Sequence, residues 1–259
     1  MSEFVKSGEN VYPKPQGIDY DLEIGRIYRL KTIRHGFNKS TVLIADGNIE
    51  LPEKVYNTDD EELFISRIIN YFNKHNKNTT GAVLYGRQGC GKTLFAKYIA
   101  KKVNLPVIII DPSFNTKDLI EYFTKFNTSV CIIFDELDKH DEYWNTKEML
   151  EFLDGIQTTC KKLVLFTCNN DDTVNQFMKN RCGRIRYYRK FDKLKKDMII
   201  NILTDKLNNK DNIKSIAEII YSNISLPSYD NVTSIIDEIN DYPEIDVLKL
   251  ITDMNVSIC

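Results

Sequence analysis

The feature that most restricts the fold of this chain is the segment 86–93, which reads Gly-Arg-Gln-Gly-Cys-Gly-Lys-Thr. It matches the pattern G-x-x-x-x-G-K-[ST], in which glycines let successive backbone N–H groups turn inward around a phosphate. The apolar residues 82–85 before it predict a buried strand, and residues 94–100 after it predict an amphipathic helix. A strand, a glycine-rich loop and a helix in this order are typical of a P-loop, whose helix adds a positive N-terminal dipole.

The P-loop pattern predicts a nucleoside triphosphate with Mg²⁺. Lys92 is expected to place its charge on the β- and γ-phosphates, and the hydroxyl of Thr93 is expected to ligate Mg²⁺. The alternative, an ordinary glycine-rich turn before a helix, is disfavoured by the strand and helix around the loop. The predicted nucleotide-binding residues are Gly86, Arg87, Gln88, Gly89, Cys90, Gly91, Lys92, Thr93 and Leu94.

Strand-length apolar segments alternate with helical segments between residues 81 and 188. The strand candidates are 82–85, 106–110, 130–134, 163–167 and 185–188. Such alternation predicts an α/β fold with a parallel sheet and helices on both faces. After residue 191 the pattern changes to four apolar stripes at helical spacing, which predicts a small all-α domain.

The region before the P-loop has a β-like pattern at residues 24–51, with a strong turn signal at 45–48. Two interpretations stay open: a small β appendage, or a β-hairpin packed on the main domain. The predicted domains are therefore an N-terminal extension with a small β element (1–50), an α/β nucleotide-binding domain (51–191) and an α-helical domain (192–259).

Polar residues follow two of the predicted strands. Asp135 and Glu136 come directly after strand 130–134. On a strand beside the P-loop, Asp135 would hold Mg²⁺ and Glu136 would orient and polarise the attacking water. A helix N-cap with Glu in the first turn is the alternative. Asn169, preferred to Asn170, follows strand 163–167 and is predicted to contact the γ-phosphate or the water, unless it only forms an Asx turn.

The run Arg181-Cys182-Gly183-Arg184 precedes the last strand candidate. In isolation, two arginines among other basic residues are typical of a solvated basic face. Here they follow the P-loop, the acidic strand end and the polar strand end, and a helical region comes after them. In this order, residues 51–259 resemble an AAA+ ATPase, nearest to the AAA clade, and residues 51–56 resemble the family segment that frames the adenine.

The resemblance implies an AAA+ core with the helices of 192–259 as a lid, ATP as the nucleotide and Mg²⁺ as its cofactor. It also implies that Arg181 and Arg184 are arginine fingers that reach the γ-phosphate bound by a neighbouring subunit. The chain would then act as a homo-oligomeric ring, a hexamer by expectation, with its active sites at subunit interfaces. Glu136, Asn169, Arg181 and Arg184 form the predicted catalytic set, and Thr93 and Asp135 the predicted metal set.

Three departures refine the resemblance. No arginine follows Arg189, which fits the AAA clade and argues against clamp loaders and replication initiators. Segment 111–129 is short, and its Pro-Ser-Phe-Asn run lacks the glycine of an unfoldase pore loop. The shortness resembles the AAA proteins that assemble mitochondrial respiratory complexes, while residues 183–187 resemble phage-encoded AAA ATPases. Phe114 is expected in the core, whereas Trp144, in a polar stretch, is harder to place there.

Composition disfavours some partners and compartments. The net charge of −2 gives no global attraction to nucleic acid or membrane. The six cysteines form no C-x-x-C pair, which disfavours zinc and favours reduced thiols in a cytoplasm, that of a host if the chain is phage-encoded. The longest apolar runs have strand length, so no membrane span is predicted.

The predicted function is ATP hydrolysis that drives remodelling or assembly of a protein or nucleoprotein partner. One alternative is a helicase loader or DNA-replication accessory, and a nucleic-acid partner therefore stays open. A second is an ATP-gated scaffold with little hydrolysis, which the intact Asp135–Glu136 pair disfavours; an inert protein with a vestigial loop is least favoured. The basic residues that would serve the DNA alternative are Lys31, Arg34, Lys39, Lys161 and Lys162.

Overall fold

The computed structural model describes residues 4–13, 21–35, 38–75, 79–111, 114–126, 128–140, 146–156, 160–169 and 185–254. The strands are β1 (Phe4–Ser7), β2 (Asn10–Pro13), β3 (Arg26–His35), β4 (Asn38–Asn48), β5 (Thr79–Gly86), β6 (Val107–Ile110), β7 (Val130–Phe134), β8 (Lys162–Cys168) and β9 (Ile185–Phe191). The helices are α1 (Asp59–Lys74), α2 (Lys92–Val103), α3 (Thr116–Thr124), α4 (Thr146–Gly155), α5 (Lys196–Lys206), α6 (Ile213–Asn223), α7 (Tyr229–Asp241) and α8 (Val247–Asp253), with a 3₁₀ turn at Leu137–His140.

Within the described residues the strands form one nine-stranded sheet in the order β1-β2-β4-β3-β6-β7-β8-β5-β9. Its centre, β6-β7-β8-β5, is parallel throughout. This confirms the predicted α/β fold with a parallel sheet. One expectation was wrong: β7, which leads to Asp135, does not lie beside the P-loop strand β5, because β8 lies between them.

The N-terminal β element continues this sheet. Strands β3 and β4 form a long antiparallel pair, and β3 is also hydrogen-bonded in parallel to β6, with Ile27 opposite Val107. Of the two interpretations left open by the sequence, the structure thus favours a hairpin joined to the main domain over a separate appendage.

The chain divides into two compact units. The first comprises Met1–Leu51, Ile65–Tyr85 and Thr93–Lys190, and the second Pro52–Phe64, Gly86–Lys92 and Phe191–Cys259. In the first unit every residue of β7 and β8 is buried. Such strands are apolar almost without interruption because both faces of a parallel sheet are covered. Phe134 and Phe166 stack at the centre of this core with ring centroids 5.1 Å apart.

Two lysines, Lys162 at the start of β8 and Lys161 just before it, support neighbouring elements of the first unit. Lys162 is fully buried, and its ammonium donates to the carbonyl oxygens of Phe126 and Thr128, 3.3 and 3.1 Å away. The ammonium of Lys161 donates to the carbonyls of Phe72 and Asn73 at the end of α1. Buried polar groups need such partners. Lys162 is therefore not available to a DNA phosphate, which corrects the sequence-based suggestion, and Lys161 is engaged at a helix end.

The second unit contains helices α5 to α8, where the four apolar stripes were predicted. Their buried residues share one apolar cluster that includes Ile199, Ile220, Ile236 and Ile251. Helix α7 begins with a capping box in which the Ser228 hydroxyl accepts from the Asn231 backbone and the Asn231 amide oxygen accepts in return. This cap fixes where α7 begins, because it satisfies backbone donors that the helix leaves unpaired.

Candidate nucleotide-binding site

The P-loop begins where β5 ends. A glycine is required at its first position because the end of strand β9 lies close to it. Gly86 has a φ of +134°, and a Cβ atom there would lie 2.0 Å from the carbonyl oxygen of Phe191. Gly89 has a φ of +79°, with a carboxylate oxygen of Asp230 3.3 Å from the position of its Cβ. Residues that carry a side chain rarely adopt these φ values, so the backbone conformation requires glycine at both positions.

Lys92, the first residue of α2, lies folded against this loop. Its ammonium donates to the carbonyl oxygens of Gly86 and Arg87, at 2.7 and 2.6 Å, and the residue is only 5% exposed. The positive charge is thus held at the loop together with the N-terminal end of the α2 dipole, and both favour an anion. The residues present fit a polyphosphate.

The next residue, Thr93, belongs to the first unit and contacts the acidic strand end. Its hydroxyl donates to Oδ1 of Asp135 over 2.7 Å. A hydroxyl that donates its proton to a carboxylate presents its own oxygen to a cation, and carboxylate and hydroxyl oxygens suit Mg²⁺. The pair that the sequence predicted for the metal is therefore in contact, and its chemistry fits Mg²⁺.

The Asp135 carboxylate has a second hydroxyl partner that the sequence did not predict. Thr167, near the end of β8, donates to the same Oδ1 atom over 2.7 Å. The hydroxyl oxygen of Thr167 in turn accepts the backbone N–H of Glu136, also over 2.7 Å. The only hint in the sequence is a hydroxyl residue inside the apolar run Leu-Val-Leu-Phe-Thr-Cys, and this hint alone does not name a partner.

Glu136 has a left-handed backbone with a φ of +51°. A residue with a side chain costs about 1–3 kcal/mol in such a conformation, and it persists only where its surroundings enforce it. Asn169 lies one residue beyond β8, and its backbone N–H donates to Oδ1 of Asp138 over 2.8 Å. The structure thus brings Thr93, Asp135, Glu136 and the end of β8 together.

A cavity of about 400 Å³ lies in the second unit, beside the P-loop. Its volume falls within the range of about 300–1,000 Å³ that is typical of small-molecule sites. Basic and acidic side chains both line it. The lining residues are Arg87, Gln88, Gly89, Cys90, Phe191, Asp192, Lys193, Leu226, Ser228, Asp230 and Asn231.

The segment that resembles an adenine frame packs within the second unit. The Tyr56 hydroxyl donates to the Asp205 carboxylate over 2.8 Å, and its ring lies 6.1 Å from that of Tyr229. Burial, then the bond to Asp205, raises the pKa of Tyr56 above its usual range. Among the described residues, Lys54 and Tyr56 line a different cavity of about 520 Å³ and not the one beside the P-loop. The contact of this segment with adenine stays a prediction.

Of the remaining predicted residues, the structure describes Phe114 but not Arg181, Arg184 or Trp144. Phe114 is half-buried and packs against the core of the first unit, as expected. Arg181, Arg184 and Trp144 lie outside the described residues, and their roles stay predictions.

The loop between β5 and α2, its lysine and the hydroxyl–carboxylate pair of Thr93 and Asp135 define a P-loop nucleotide-binding fold. Residues 82–190 match the model of the ATPase family associated with various cellular activities (AAA). This match supports an AAA+ ATPase over these residues, and a general ATPase role with nucleotide binding belongs to that family. No curated protein sequence matches the chain. No helix of the described residues has the length and apolar character needed to cross a membrane.

Proposed function

We propose that this chain hydrolyses ATP to drive remodelling or assembly of a protein or nucleoprotein partner. The observation that carries the hydrolytic part is the 2.7 Å hydrogen bond from Thr93 to Asp135. It joins the residue after the P-loop lysine to the acidic end of β7, so both predicted metal-holding groups are already aligned. The AAA match over 82–190 supports the same chemistry.

In this proposal the loop 86–91 and Lys92 bind the phosphates. Backbone N–H groups and the α2 dipole hold the oxygens, and the ammonium lies toward the β- and γ-phosphates. Thr93 and Asp135 would hold Mg²⁺, which neutralises charge on these oxygens when bound. Cys90 and Leu94 contribute backbone groups to the same loop and helix.

Glu136 is proposed as the base. Its carboxylate accepts a proton from water while the water oxygen forms a bond to the γ-phosphorus and the bond to the leaving ADP oxygen breaks. Asn169 is proposed to position that water. The left-handed backbone of Glu136 supports this role, because a strained residue next to a metal-binding carboxylate is common at functional sites.

Arg181 and Arg184 are proposed to act on a neighbouring subunit's γ-phosphate. AAA proteins generally assemble into rings, and we propose a homo-oligomeric ring, a hexamer by expectation, for this chain. Residues 192–259 would serve as the lid that couples the nucleotide state to subunit rotation. The short segment 111–129 favours assembly of a partner over threading of an unfolded chain.

The DNA-directed alternative loses part of its basis. Lys162 is buried and Lys161 caps α1, while the side chains of Arg34 and Lys39 lie outside what the structure describes. Lys31 is exposed, and one surface lysine does not make a nucleic-acid site. A defect in the hydrolytic set would favour the scaffold alternative; the hydrogen bonds from Thr93 to Asp135 and from the Glu136 backbone to Thr167 support an intact set instead.

The test is the ATPase rate as a function of protein concentration, with light scattering in the presence and absence of ATP. Specific activity that rises steeply as a ring-sized species forms is the expected result, since a finger acting in trans needs a neighbour. Equal specific activity from a monomer at every concentration would refute the trans fingers. ATP binding without turnover at any concentration would favour the scaffold.

A further inference from the structure

Thr167 occupies a position that packing alone does not explain. It is fully buried in β8, a strand that is otherwise apolar except for Lys162 at its start. Placing a hydroxyl in such a core is unfavourable unless its hydrogen bonds are made. Both directions of its hydrogen bonding are used: it donates to Oδ1 of Asp135 and accepts from the backbone N–H of Glu136, each over 2.7 Å.

The two partners of Thr167 have different proposed tasks. Asp135 is proposed to hold Mg²⁺ and Glu136 to act as the base, yet one hydroxyl binds the side chain of the first and the backbone of the second. Glu136, whose backbone N–H donates to Thr167, is also the residue with the left-handed φ of +51°. Since β7 and β8 are parallel neighbours with Phe134 opposite Phe166, Thr167 lies level with Asp135.

We infer that Thr167 is a positioning residue that holds the Asp135 carboxylate toward Thr93 and keeps the Glu136 backbone in its left-handed conformation. Its hydroxyl fixes one carboxylate oxygen jointly with Thr93, so the carboxylate cannot rotate freely. The hydrogen bond from the Glu136 N–H to Thr167 holds the Glu136 backbone in place and so orients its side chain. This inference rests on the proposed ATPase function, because the tasks of Asp135 and Glu136 come from it.

The test compares Thr167→Val, which keeps the shape and removes the hydroxyl, with Thr167→Ser, which keeps the hydroxyl. The matched control is Thr80→Val, because Thr80 is equally buried, lies in the adjacent strand β5 and precedes the loop. The dissociation constant for ATP is measured in EDTA and again at increasing Mg²⁺, alongside kcat. Thermal melting and ATP binding in EDTA establish that each variant is folded.

For Thr167→Val we expect kcat to fall by about 10- to 100-fold, from the loss of bonds to a carboxylate and a backbone N–H. The Mg²⁺ concentration that gives half of the full affinity gain should rise, while ATP binding in EDTA stays at the wild-type value. Thr167→Ser should restore both readouts to within about threefold, and Thr80→Val should leave both unchanged.

A folded Thr167→Val variant with wild-type kcat and wild-type Mg²⁺ dependence overturns the inference. So does Thr167→Ser if it loses as much as Thr167→Val, since packing would then be the cause. If Thr167→Val does not fold, Thr167→Ala replaces it under the same criteria. If the wild-type protein binds ATP and never hydrolyses it, the proposed function fails, and the Mg²⁺ dependence of binding alone decides the role of Thr167.

Discussion

A Cβ atom on Gly86 would lie 2.0 Å from the carbonyl oxygen of Phe191, so the first residue of the P-loop is closed to every side chain. Both residues end strands that are neighbours in the sheet. A backbone carbonyl cannot move aside as the tip of a flexible side chain can. The start of the loop is therefore fixed by the strand beside it as well as by its own glycines.

Gly86→Ala should abolish nucleotide binding and lower the melting temperature by several degrees, because the loop or β9 must shift. Gly47→Ala is the matched control: its φ is also positive, at +92°, but no atom lies within 4 Å of the added carbon. Strain alone should cost the control about 1–2 kcal/mol. Calorimetry and a fluorescent ATP analogue measure both effects. Equal effects of the two substitutions would contradict the role given to the Phe191 carbonyl.

Glu136→Gln should bind ATP with unchanged affinity and hydrolyse it about 100-fold more slowly or worse, because an amide cannot accept the proton of the water. Glu121→Gln is the control, since Glu121 is exposed on α3 and pairs only with Lys125 among the ion pairs of the described residues. That surface pair contributes little. Single-turnover hydrolysis and equilibrium binding separate the two steps, and near-normal turnover in Glu136→Gln would remove Glu136 as the base.

Mixing two inactive variants tests whether the fingers act in trans. The Arg184→Ala variant lacks a finger, and the Glu136→Gln variant lacks the base. At an interface where an Arg184→Ala subunit binds the nucleotide and a Glu136→Gln subunit donates Arg184, all of the proposed groups are present. Roughly a quarter of the interfaces in a randomly mixed ring have this composition. ATPase activity of an equimolar mixture should therefore exceed that of either variant severalfold. Arg186→Ala, which removes an arginine lying over the Tyr71 ring, should keep full activity.

A mixture no more active than its two components would place the finger in the same subunit as the base, or remove the finger role from Arg184. Repeating the mixture with Arg181→Ala in place of Arg184→Ala decides which of the two arginines crosses the interface.

Cys90 provides a pH-dependent probe of the loop. Burial raises the pKa of its thiol above the usual range, and the nearby Lys92 opposes this only in part. Because the thiolate is the reactive form, alkylation at Cys90 should reach half of its maximal rate at a higher pH than alkylation of free glutathione. ATP should slow the reaction at every pH. Peptide mapping by mass spectrometry separates Cys90 from the other cysteines.

A rate profile for Cys90 that matches or precedes that of glutathione would mean that the thiol is more exposed than the structure has it. The absence of protection by ATP would argue that the nucleotide does not bind at this loop. Cys160, which is also half-buried but lies far along the sequence from the P-loop, serves as the internal control that ATP should leave unprotected.

The sequence predicts those parts of the molecule whose residues are constrained locally. The bounds of β7 agree with the prediction because a strand buried on both faces is an unbroken apolar run. The prediction that Thr93 and Asp135 hold one Mg²⁺ follows from motifs fixed by the chemistry of phosphate and Mg²⁺, and the structure places the two residues in contact.

Features that depend on pairing between distant segments were not predictable. Nothing in residues 26–35 indicates that β3 adds to β6, or that β8 separates β7 from β5. Thr167 was missed for the same reason, since its importance comes from a carboxylate and an N–H on the neighbouring strand. Lys162 was misjudged as a surface charge because its carbonyl partners belong to another element.

The pairing of β3 with β6 also bears on how the AAA domain can be produced in isolation. Without residues 1–50, strand β6 would become the outermost strand of the parallel sheet, with a row of unpaired N–H and C=O groups open to other chains. A fragment limited to residues 82–190 would therefore expose an unpaired strand edge to which other chains can bind. The N-terminal strands shield the core from self-association between sheets.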